Sequence, residues 1–315
     1  MEETWLILVN PNSGKQKGAK EWNSISEYLV QKGVYFKALF TRHKKHAIQL
    51  TKTYVKKGFR KFLVVGGDGT LNEVINGVML QKFCPSQDIT VGIIPVGTGN
   101  DWCKTFAIDN DYKKAIDVIV KGKTFLQDVG VVSYMEDNVP TKRYIINSAG
   151  IGFEALVVKA TNQQKESGKN NSVMYLHNVL RYVRSFKGRN ATVDIDGVIA
   201  NCNFYMFSIG ICRFKGNGMK LLPYAIPDDG KFDVTMVKIA PLFTLLRNMP
   251  RMIKGNFKNV KIVSTCQCEK VTVNSDDSTM IMEVDGESLG NNPYVFEIIP
   301  AAVNMVINYP IWEKE

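Results

Sequence analysis

The sequence predicts an α/β protein of two domains, a three-layer N-terminal domain with a parallel sheet and a β-rich C-terminal sandwich. Through about the first 130 residues, apolar strands alternate with helical segments, which is typical of a parallel sheet covered on both faces. From about Asp128, short segments with two-residue alternation indicate antiparallel strands. A chain of 315 residues is long enough for both domains.

The first half contains four strands and three helices by these criteria. A polar, glycine-containing loop follows the first strand, and the third helix follows a glycine-rich turn. The predicted strands are Trp5–Val9, Val34–Phe40, Lys61–Val65 and Val91–Ile94, and the predicted helices are Glu21–Lys32, His46–Lys57 and Leu71–Met79.

The second half contains seven short strands and two amphipathic helices. Pro250 is expected to kink or split the second helix. The helical stripes fit core packing, or a basic surface that meets a membrane. The strands are 143–147, 192–196, 203–210, 232–239, 260–264, 271–274 and 280–284; the stripes are Leu176, Val179, Leu180 and Val183, then Leu242, Leu245, Leu246, Met249, Met252 and Ile253.

The predicted domains span residues 1–128 and 129–300. The final segment, about 301–315, is expected to return to the first domain. No apolar run approaches the ~18 residues needed to cross a bilayer, and Glu2 and Glu3 argue against a signal peptide. Six cysteines without paired spacing favour a reduced, cytoplasmic protein.

The net charge of +10 suits nucleic acid, anionic lipid or phosphorylated substrates. No motif of a nucleic-acid-binding module is present, so a nucleic-acid partner is not expected. Acidic residues are absent from 167–193 and 241–268, where basic residues interleave with the amphipathic helices. Binding to anionic vesicles is therefore predicted to involve Arg181, Arg184, Arg247, Arg251 and Lys254.

Three glycine-rich turns follow strand ends in the first half: Asn10–Lys15, Gly66–Glu73 and Pro95–Asp101. In an open α/β sheet, ligands bind beyond the carboxyl ends of the strands. Glycines there let backbone N–H groups approach an anion, and a following helix adds its positive dipole end. The spacing fits neither GxxxxGK[ST] nor GxGxxG.

These three motifs together resemble the catalytic domain of diacylglycerol kinases. The bacterial lipid kinases of this group match best in length and motif order, and sphingosine and ceramide kinases share the signatures. The resemblance extends from residue 10 to residue 287 and implies a fold like that of NAD kinase and diacylglycerol kinase. It also implies that 1–128 is a nucleotide-binding domain and 129–300 a lipid-substrate domain. The implied ATP site is lined by Asn10, Pro11, Asn12, Ser13, Gly14, Thr41, Gly66, Gly67, Asp68, Gly69, Thr70, Leu71, Asn72 and Thr98.

The resemblance also implies magnesium sites. Asp68, Asp101 and Asp128 would form an aspartate–water–Mg²⁺ network, with Asp128 alternatively a cap or turn residue. Asp229, with the carbonyls of Ile226 and Lys231, would hold a structural Mg²⁺, although Asp-Asp-Gly is usually a turn.

Asp285 would be the general base that accepts the lipid hydroxyl proton, alongside Asp68 as the second catalytic residue. Glu287 would sit near ATP or the metal. Asp285-Gly286 also fits a hairpin turn, and one residue can serve both purposes. His43 and His46 are interpreted as solvated loop residues or phosphate contacts.

The predicted function is an ATP- and Mg²⁺-dependent lipid kinase, with diacylglycerol converted to phosphatidic acid as the leading reaction. Sphingoid bases, ceramide or another lipid are alternative acceptors. An NAD kinase-like enzyme and a catalytically dead lipid-binding protein are the remaining alternatives. The partners would be a membrane lipid and the anionic inner face of the membrane, bound peripherally, and a homodimer is left open.

Overall fold

The computed structural model describes residues 4–166, 178, 181–183, 185–277 and 279–314. The chain divides into two compact units: Met1–Asp128 with Pro300–Glu315, and Val129–Ile299. Two long strands contain the boundaries between these units, β5 (Thr124–Glu136) and β15 (Asn291–Val306).

The first unit is built on a parallel sheet in the order β2-β1-β3-β4, and the end of β15 lies parallel to β4. Leu6 to Val9 and Phe62 to Val65 are fully buried, as expected where both faces of a sheet are covered. Its elements are β1 (Trp5–Val9), α1 (Ser13–Lys20), α2 (Trp22–Gln31), β2 (Phe36–Phe40), α3 (His46–Lys56), β3 (Lys61–Gly66), α4 (Asp68–Leu80), η1 (Ser86–Asp88), β4 (Thr90–Pro95), α5 (Asp101–Thr105), α6 (Tyr112–Lys121) and η2 (Ile311–Lys314).

Three helices of this unit go beyond the sequence prediction. The glycine-containing segment after β1 was predicted as a loop, but its second part is helical in α1, after three left-handed residues, Gly14 to Gln16. Both α5 and α6 are additional helices. The helix α4 begins at Asp68, three residues earlier than predicted, because Gly67 is extended and acts as its N-cap.

The second unit is an antiparallel sandwich, with strand order β14-β13-β7-β9-β8-β12-β15 and β10, β11 extending from β9. The first part of β9 pairs with β8, and its second part pairs with β7 and β10. The elements are β6 (Val139–Ile145), β7 (Ser148–Gly152), α7 (Phe153–Glu166), β8 (Arg189–Ile195), β9 (Val198–Gly210), β10 (Phe232–Lys238), α8 (Leu242–Ile253), β11 (Val263–Cys268), β12 (Lys270–Asn274), β13 (Met282–Val284) and β14 (Glu287–Leu289).

Two apolar clusters form the core of the second unit. The larger lies within the sandwich and includes Phe207, Phe232 and Phe296, all nearly inaccessible to solvent. The smaller joins α7 and α8 to the sheet through Val157 and Leu245. The smaller cluster fixes α7 and α8 against β9 and β10 through Tyr205, Met206 and Val237.

Some apolar residues of helix α8 pack against the core and others are exposed, so neither interpretation of its stripe holds for every residue. Leu245 is buried, and Met249 and Met252 pack against the same core. Leu242, Phe243, Leu246 and Ile253 are exposed, Phe243 to 74%. Pro250 lies inside one continuous helix, so of the two predicted effects the split is absent, and the kink stays a prediction; only four residues, 250–253, remain in the helix from this point.

The other predicted stripe, at Leu176, Val179 and Leu180, lies outside the described residues, as do Arg184 and His177; Val183 is buried. None of the described helices combines the length and apolar character needed to cross a bilayer.

Candidate active site

The carboxyl ends of four parallel strands meet at one edge of the first unit. Val9 is in register with Phe40 and Val65, and Gly66 with Pro95. Thr41, the Asn10 loop, Gly67 and the Val96 loop therefore begin side by side. The three glycine-rich turns thus lie together at this edge.

The first turn is tied to the second by a side-chain hydrogen bond. Asn10 Nδ2 donates to Thr70 Oγ1 at 2.9 Å, and the Asn12 N–H donates to Asn10 Oδ1 at 3.1 Å. Pro11 and Ser13 are partly exposed beside them. Gly14 has a φ of +58°, and a Cβ there would collide with the Val96 carbonyl. Glycine is therefore required where the first turn contacts the third.

The second turn places glycines beside the third. A Cβ on Gly67 would lie 3.0 Å from Gly97 Cα, whereas one on Gly69 would meet no protein atom within 4 Å. Gly69 therefore faces open space at the start of α4, where N–H groups and the helix dipole favour an anion. Gly66, Thr70, Leu71 and Asn72 are buried.

The third turn is shaped by Asn100 and exposes Thr98. Asn100 is left-handed, with a φ of 50°. Its Nδ2 donates to the Gly97 carbonyl at 3.0 Å and to Asn110 Oδ1 at 2.8 Å. This fixes the turn without using Thr98, which remains on the surface beside the other two turns.

Asp68 joins the starts of α4 and α5. Its Oδ2 accepts the N–H of Asp101 at 3.0 Å, and its Oδ1 accepts that of Trp102 at 3.1 Å. A Cβ on Gly99 would be 3.2 Å from Asp68 Oδ2 and 3.6 Å from Asp101 Oδ2. Two carboxylates therefore approach one point on the third turn, and Lys104 Nζ lies 2.6 Å from Asp101 Oδ1.

The Asp128 side chain accepts a hydrogen bond from the backbone of β15. Its Oδ1 accepts the N–H of Ala301 at 2.7 Å, and Ala301 has a φ of 48°. Within the described ranges, no three acidic, histidine or cysteine side chains are grouped closely enough to hold a metal directly. Asp68, Asp101 and Asp128 thus do not form a set of direct ligands, and the water-mediated network stays a prediction.

A basic corner follows β2, close to Thr41. The rings of His43 and His46 stack with centroids 4.7 Å apart. His46 is the first residue of α3 rather than a loop residue. Partial burial, followed by the neighbouring His43 and Arg42, lowers the pKa of His46. The ring is therefore mainly neutral at neutral pH.

In the second unit, Asp285 occupies a two-residue hairpin turn between β13 and β14. Val284 pairs with Glu287, and Asp285 and Gly286 have φ values of 47° and 85°. Left-handed residues at both positions indicate a type I′ turn, for which Asp-Gly is a preferred sequence. The turn predicted for Asp285-Gly286 is thus present.

The Asp285 carboxylate is held by three backbone N–H groups. Its Oδ2 accepts from Ile146 at 3.0 Å, and its Oδ1 accepts from Asn147 at 3.1 Å and Ser148 at 2.8 Å. The side chain is only 6% exposed. Its orientation is therefore fixed from the segment that leads into β7.

Glu287 forms a shielded ion pair two residues later. Its Oε2 lies 2.7 Å from Arg143 Nη2 on β6, and Arg143 is buried. This pair connects β14 to β6, so Asp285 and Glu287 are both anchored to residues 143–148.

The Asp229 loop has partners that a metal would have to replace or share. Asp229 Oδ1 accepts the Lys231 N–H at 3.0 Å, and the Asp229 N–H donates to the Ile226 carbonyl at 3.4 Å. Nearby Asp233 is 2% exposed, and its Oδ1 has no hydrogen-bond partner among the described residues. An orphaned carboxylate oxygen beside this loop fits a cation, as a hard oxygen donor for Mg²⁺.

Sequence inspection missed several residues that support these turns. Glu73 Oε1 accepts the Lys45 N–H at 2.7 Å and its Oε2 the Ala47 N–H at 3.1 Å, which fixes the start of α3. Lys104 Nζ donates to the Gly99 carbonyl at 2.7 Å. The only signal in the sequence was that Glu73 and Lys104 are charged and adjacent to glycine-rich motifs. The partners of Glu73 are 28 and 26 residues away, and a backbone carbonyl partner such as that of Lys104 leaves no mark in the sequence.

Comparisons with known proteins match both units. Residues 4–132 match the diacylglycerol kinase catalytic domain, and residues 147–307 match the YegS C-terminal NAD kinase beta sandwich-like domain. The diacylglycerol kinase of Staphylococcus carnosus is 27% identical, covering 94% of this chain and 92% of its own. That of Bacillus subtilis is 26% identical, covering 96% and 95%.

The fold agrees with a solved structure described as a diacylglycerol kinase from Bacillus anthracis. The TM-score is 0.77 at 20% identity, with 97% of each chain covered. The α/β class with a C-terminal sandwich, predicted from the sequence, is confirmed. The chain belongs to the diacylglycerol kinase catalytic domain family, with a YegS-type C-terminal domain, and is a lipid kinase.

Proposed function

We propose that this lipid kinase transfers the γ-phosphoryl group of ATP to the free hydroxyl of diacylglycerol and forms phosphatidic acid. The observation that carries the proposal is the convergence of three glycine-rich turns at one sheet edge, in a chain whose relatives include several diacylglycerol kinases. Use of ATP follows from the kinase family. The choice of acceptor is the proposed part.

The first unit supplies the phosphate-binding groups in this proposal. The open space at Gly69 and the N-terminus of α4 would receive phosphate oxygens. Asn10, Ser13, Thr41 and Thr98 surround the same edge. Since phosphoryl transfer has a loose transition state, the protein acts chiefly by placing the reactants and neutralising charge.

Magnesium would be held by Asp68 and Asp101, the two carboxylates that approach the third turn. A bound Mg²⁺ neutralises developing charge on the phosphate oxygens. Asp68 already accepts two backbone N–H bonds, so its contact with the ion is expected to pass through water, which suits a cation that dehydrates reluctantly. Asp229, with the Ile226 and Lys231 carbonyls, would hold the separate structural ion.

The second unit would supply the base. Asp285 is fixed by three N–H groups and would accept the proton of the attacking lipid hydroxyl. A positioned carboxylate base typically contributes about 10²–10⁴-fold to the rate. Glu287, paired with Arg143, would lie beside the nucleotide or metal.

The membrane surface is the proposed meeting place with the lipid. The exposed apolar side chains of α8 border Arg247, Arg251 and Lys254, which are also exposed. An apolar strip beside a basic strip is the pattern of helices that lie in the interface of anionic membranes. We therefore propose peripheral attachment to the cytoplasmic leaflet.

The test is phosphate transfer from labelled ATP to a panel of lipids in mixed micelles with Mg²⁺. The lipid acceptors are diacylglycerol, a sphingoid base and ceramide, and NAD is tested separately as a soluble acceptor. Labelling of diacylglycerol, lost on chelation of Mg²⁺, is the expected result. Preferential labelling of another lipid would replace the proposed acceptor, and labelling of NAD alone would contradict the proposal.

A further inference from the structure

A cluster of three buried charges lies beside the Asp285 turn and consists of Glu154, Lys215 and Glu283. Their exposed fractions are 4%, 7% and 1%. The Lys215 ammonium pairs with both carboxylates, and the Ser208 hydroxyl donates to Glu154. The proposed ATP site, metal sites and general base involve none of these three residues.

The strands leave a space for this cluster at Gly150. Gly150 faces Glu283 on β13 and Ser208 on β9. A Cβ at Gly150 would collide with Glu154 and Lys215 and lie 2.9 Å from Glu283 Oε1. The three charged groups therefore converge over a single Cα in the centre of the sheet.

Glu283 connects the cluster to the turn that carries Asp285. Its Oε1 pairs with Lys215, while its Oε2 accepts the Gly286 N–H at 3.0 Å. On the other side, Asn162 Nδ2 donates to the Gly286 carbonyl at 2.9 Å. Asn162 and Glu154 both lie on α7, so both backbone groups of Gly286 are held from the same assembly.

Stability alone gives a weak reason for this arrangement. Apolar residues of similar volume often replace buried ion clusters with no loss of stability, because desolvation offsets the attraction between charges. Two carboxylates also share one ammonium, and burial, aided by repulsion from Glu154, raises the pKa of Glu283 to about 7. What the cluster does provide is a fixed position for the Gly286 backbone.

We propose that Lys215 and Glu283 are positioning residues for the lipid kinase reaction. Lys215 orients the Glu283 carboxylate, Glu283 holds the Gly286 N–H, and the β13–β14 turn then presents Asp285 in one orientation. The inference rests on the proposed function, since it takes Asp285 to be the base.

The experiment compares Glu283→Gln and Lys215→Met with wild type. Lys215 and Gly286 contact different oxygens of Glu283, and a glutamine in the same position replaces one of these acceptor oxygens with an NH₂ donor. A small displacement of a catalytic group can cost about 10²-fold in rate. We expect kcat to fall by about 10- to 100-fold per folded molecule, with KM for ATP and for lipid little changed.

The matched control is the exposed Lys270–Glu297 pair of the same unit, with a 2.9 Å separation. Lys270→Met and Glu297→Gln should leave kcat unchanged. Unchanged kcat in the cluster variants would overturn the proposal. So would a loss of activity that matches the loss of folded protein measured by thermal unfolding.

A second readout does not depend on any lipid being phosphorylated. Hydrogen exchange of the Gly286 amide, measured by NMR in the ligand-free protein, should accelerate in Glu283→Gln and Lys215→Met. If wild type phosphorylates no lipid, the proposed function fails, and this measurement still tests the positioning. Faster exchange of the Gly286 amide would support the proposal that Glu283 and Lys215 position the turn, and unchanged exchange would reject it.

Discussion

Asp68 caps the helix that begins at the third glycine-rich turn: its Oδ1 accepts the backbone N–H of Trp102 at 3.1 Å. Because Asp68 is itself the first residue of α4, one carboxylate fixes the relative position of two helix N-termini. The same side chain lies beside Asp101 and Gly99. The structural role of Asp68 can be separated from its proposed catalytic role by comparison with another residue that caps a helix, Asp111.

Asp68→Ala should lose about 1–2 kcal/mol of unfolding free energy, the typical value of a lost N-cap, and at least about 10²-fold in kcat from misplaced groups. Asp111→Ala is the control, because Asp111 Oδ1 caps α6 through the Lys113 N–H at 2.8 Å. It should show a similar stability loss with normal activity. Equal activity in both variants would contradict the role of Asp68. Urea unfolding and the labelled-ATP assay provide the two measurements.

Asp285→Asn should lower kcat by about 10²–10⁴-fold, the usual contribution of a general base. Asp196 offers a close control, because it has a φ of 48° in the turn between β8 and β9, and it accepts N–H bonds from Glu269 and Lys270. Asp196→Asn should weaken the fold but retain kcat. An equal loss of kcat in Asp285→Asn and Asp196→Asn would mean that Asp285 only stabilises its turn, which would contradict its role as the general base.

Gly69→Ala should bind ATP more weakly although it is not less stable. The added Cβ meets no protein atom, and removing glycine freedom from the unfolded chain stabilises by about 0.4–1 kcal/mol. We expect KM for ATP to rise by about tenfold, equivalent to about 1.4 kcal/mol.

Gly14→Ala is the contrasting variant, because it should lower the free energy of unfolding. A side chain on the left-handed backbone of Gly14 costs about 1–2 kcal/mol, and its Cβ would collide with the Val96 carbonyl. An unchanged KM for ATP in Gly69→Ala would place the phosphates elsewhere.

Removing three charges from α8, in Arg247→Gln, Arg251→Gln and Lys254→Gln together, should weaken binding to anionic vesicles by about 100-fold. This follows from about 1 kcal/mol per basic residue near the surface and 1.4 kcal/mol per tenfold. The control removes the exposed Lys52, Lys56 and Lys57 and should bind normally. The effect should shrink at 1 M salt, where the Debye length is about 3 Å; salt-insensitive binding would argue against this surface.

The stability of wild type relative to Glu283→Gln should fall as pH rises from about 5 to 8. Burial raises the pKa of Glu283 from 4.5 to about 7, so the folded chain binds more protons than the unfolded chain between these values. This contribution is fully present below pH 4.5 and lost as pH passes 7. Urea unfolding at several pH values measures it, and Glu297→Gln is the control. A constant difference between wild type and Glu283→Gln would show that Glu283 does not titrate in this window.

Local sequence patterns identified the strands of the first unit well because β1, β3 and β4 are short, largely apolar runs. The additional helix α5 was harder to predict, because its five residues are too few to show periodicity. Strand β11 begins at Val263 rather than Val260, because residues 260–263 form a turn in which the Val263 N–H donates to the Val260 carbonyl at 2.9 Å, and an apolar pattern does not reveal this.

The sequence by itself determined the two-domain class, the family and the three glycine-rich turns, because these depend on apolar periodicity and on motifs contiguous in the chain. Tertiary structure alone decided that Asp128 holds Ala301 and that Glu154, Lys215 and Glu283 converge above Gly150. These partners are separated by dozens of residues or more. Only the pairing of distant strands brings them together, and a buried charge gives no sign in the sequence of which partner neutralises it.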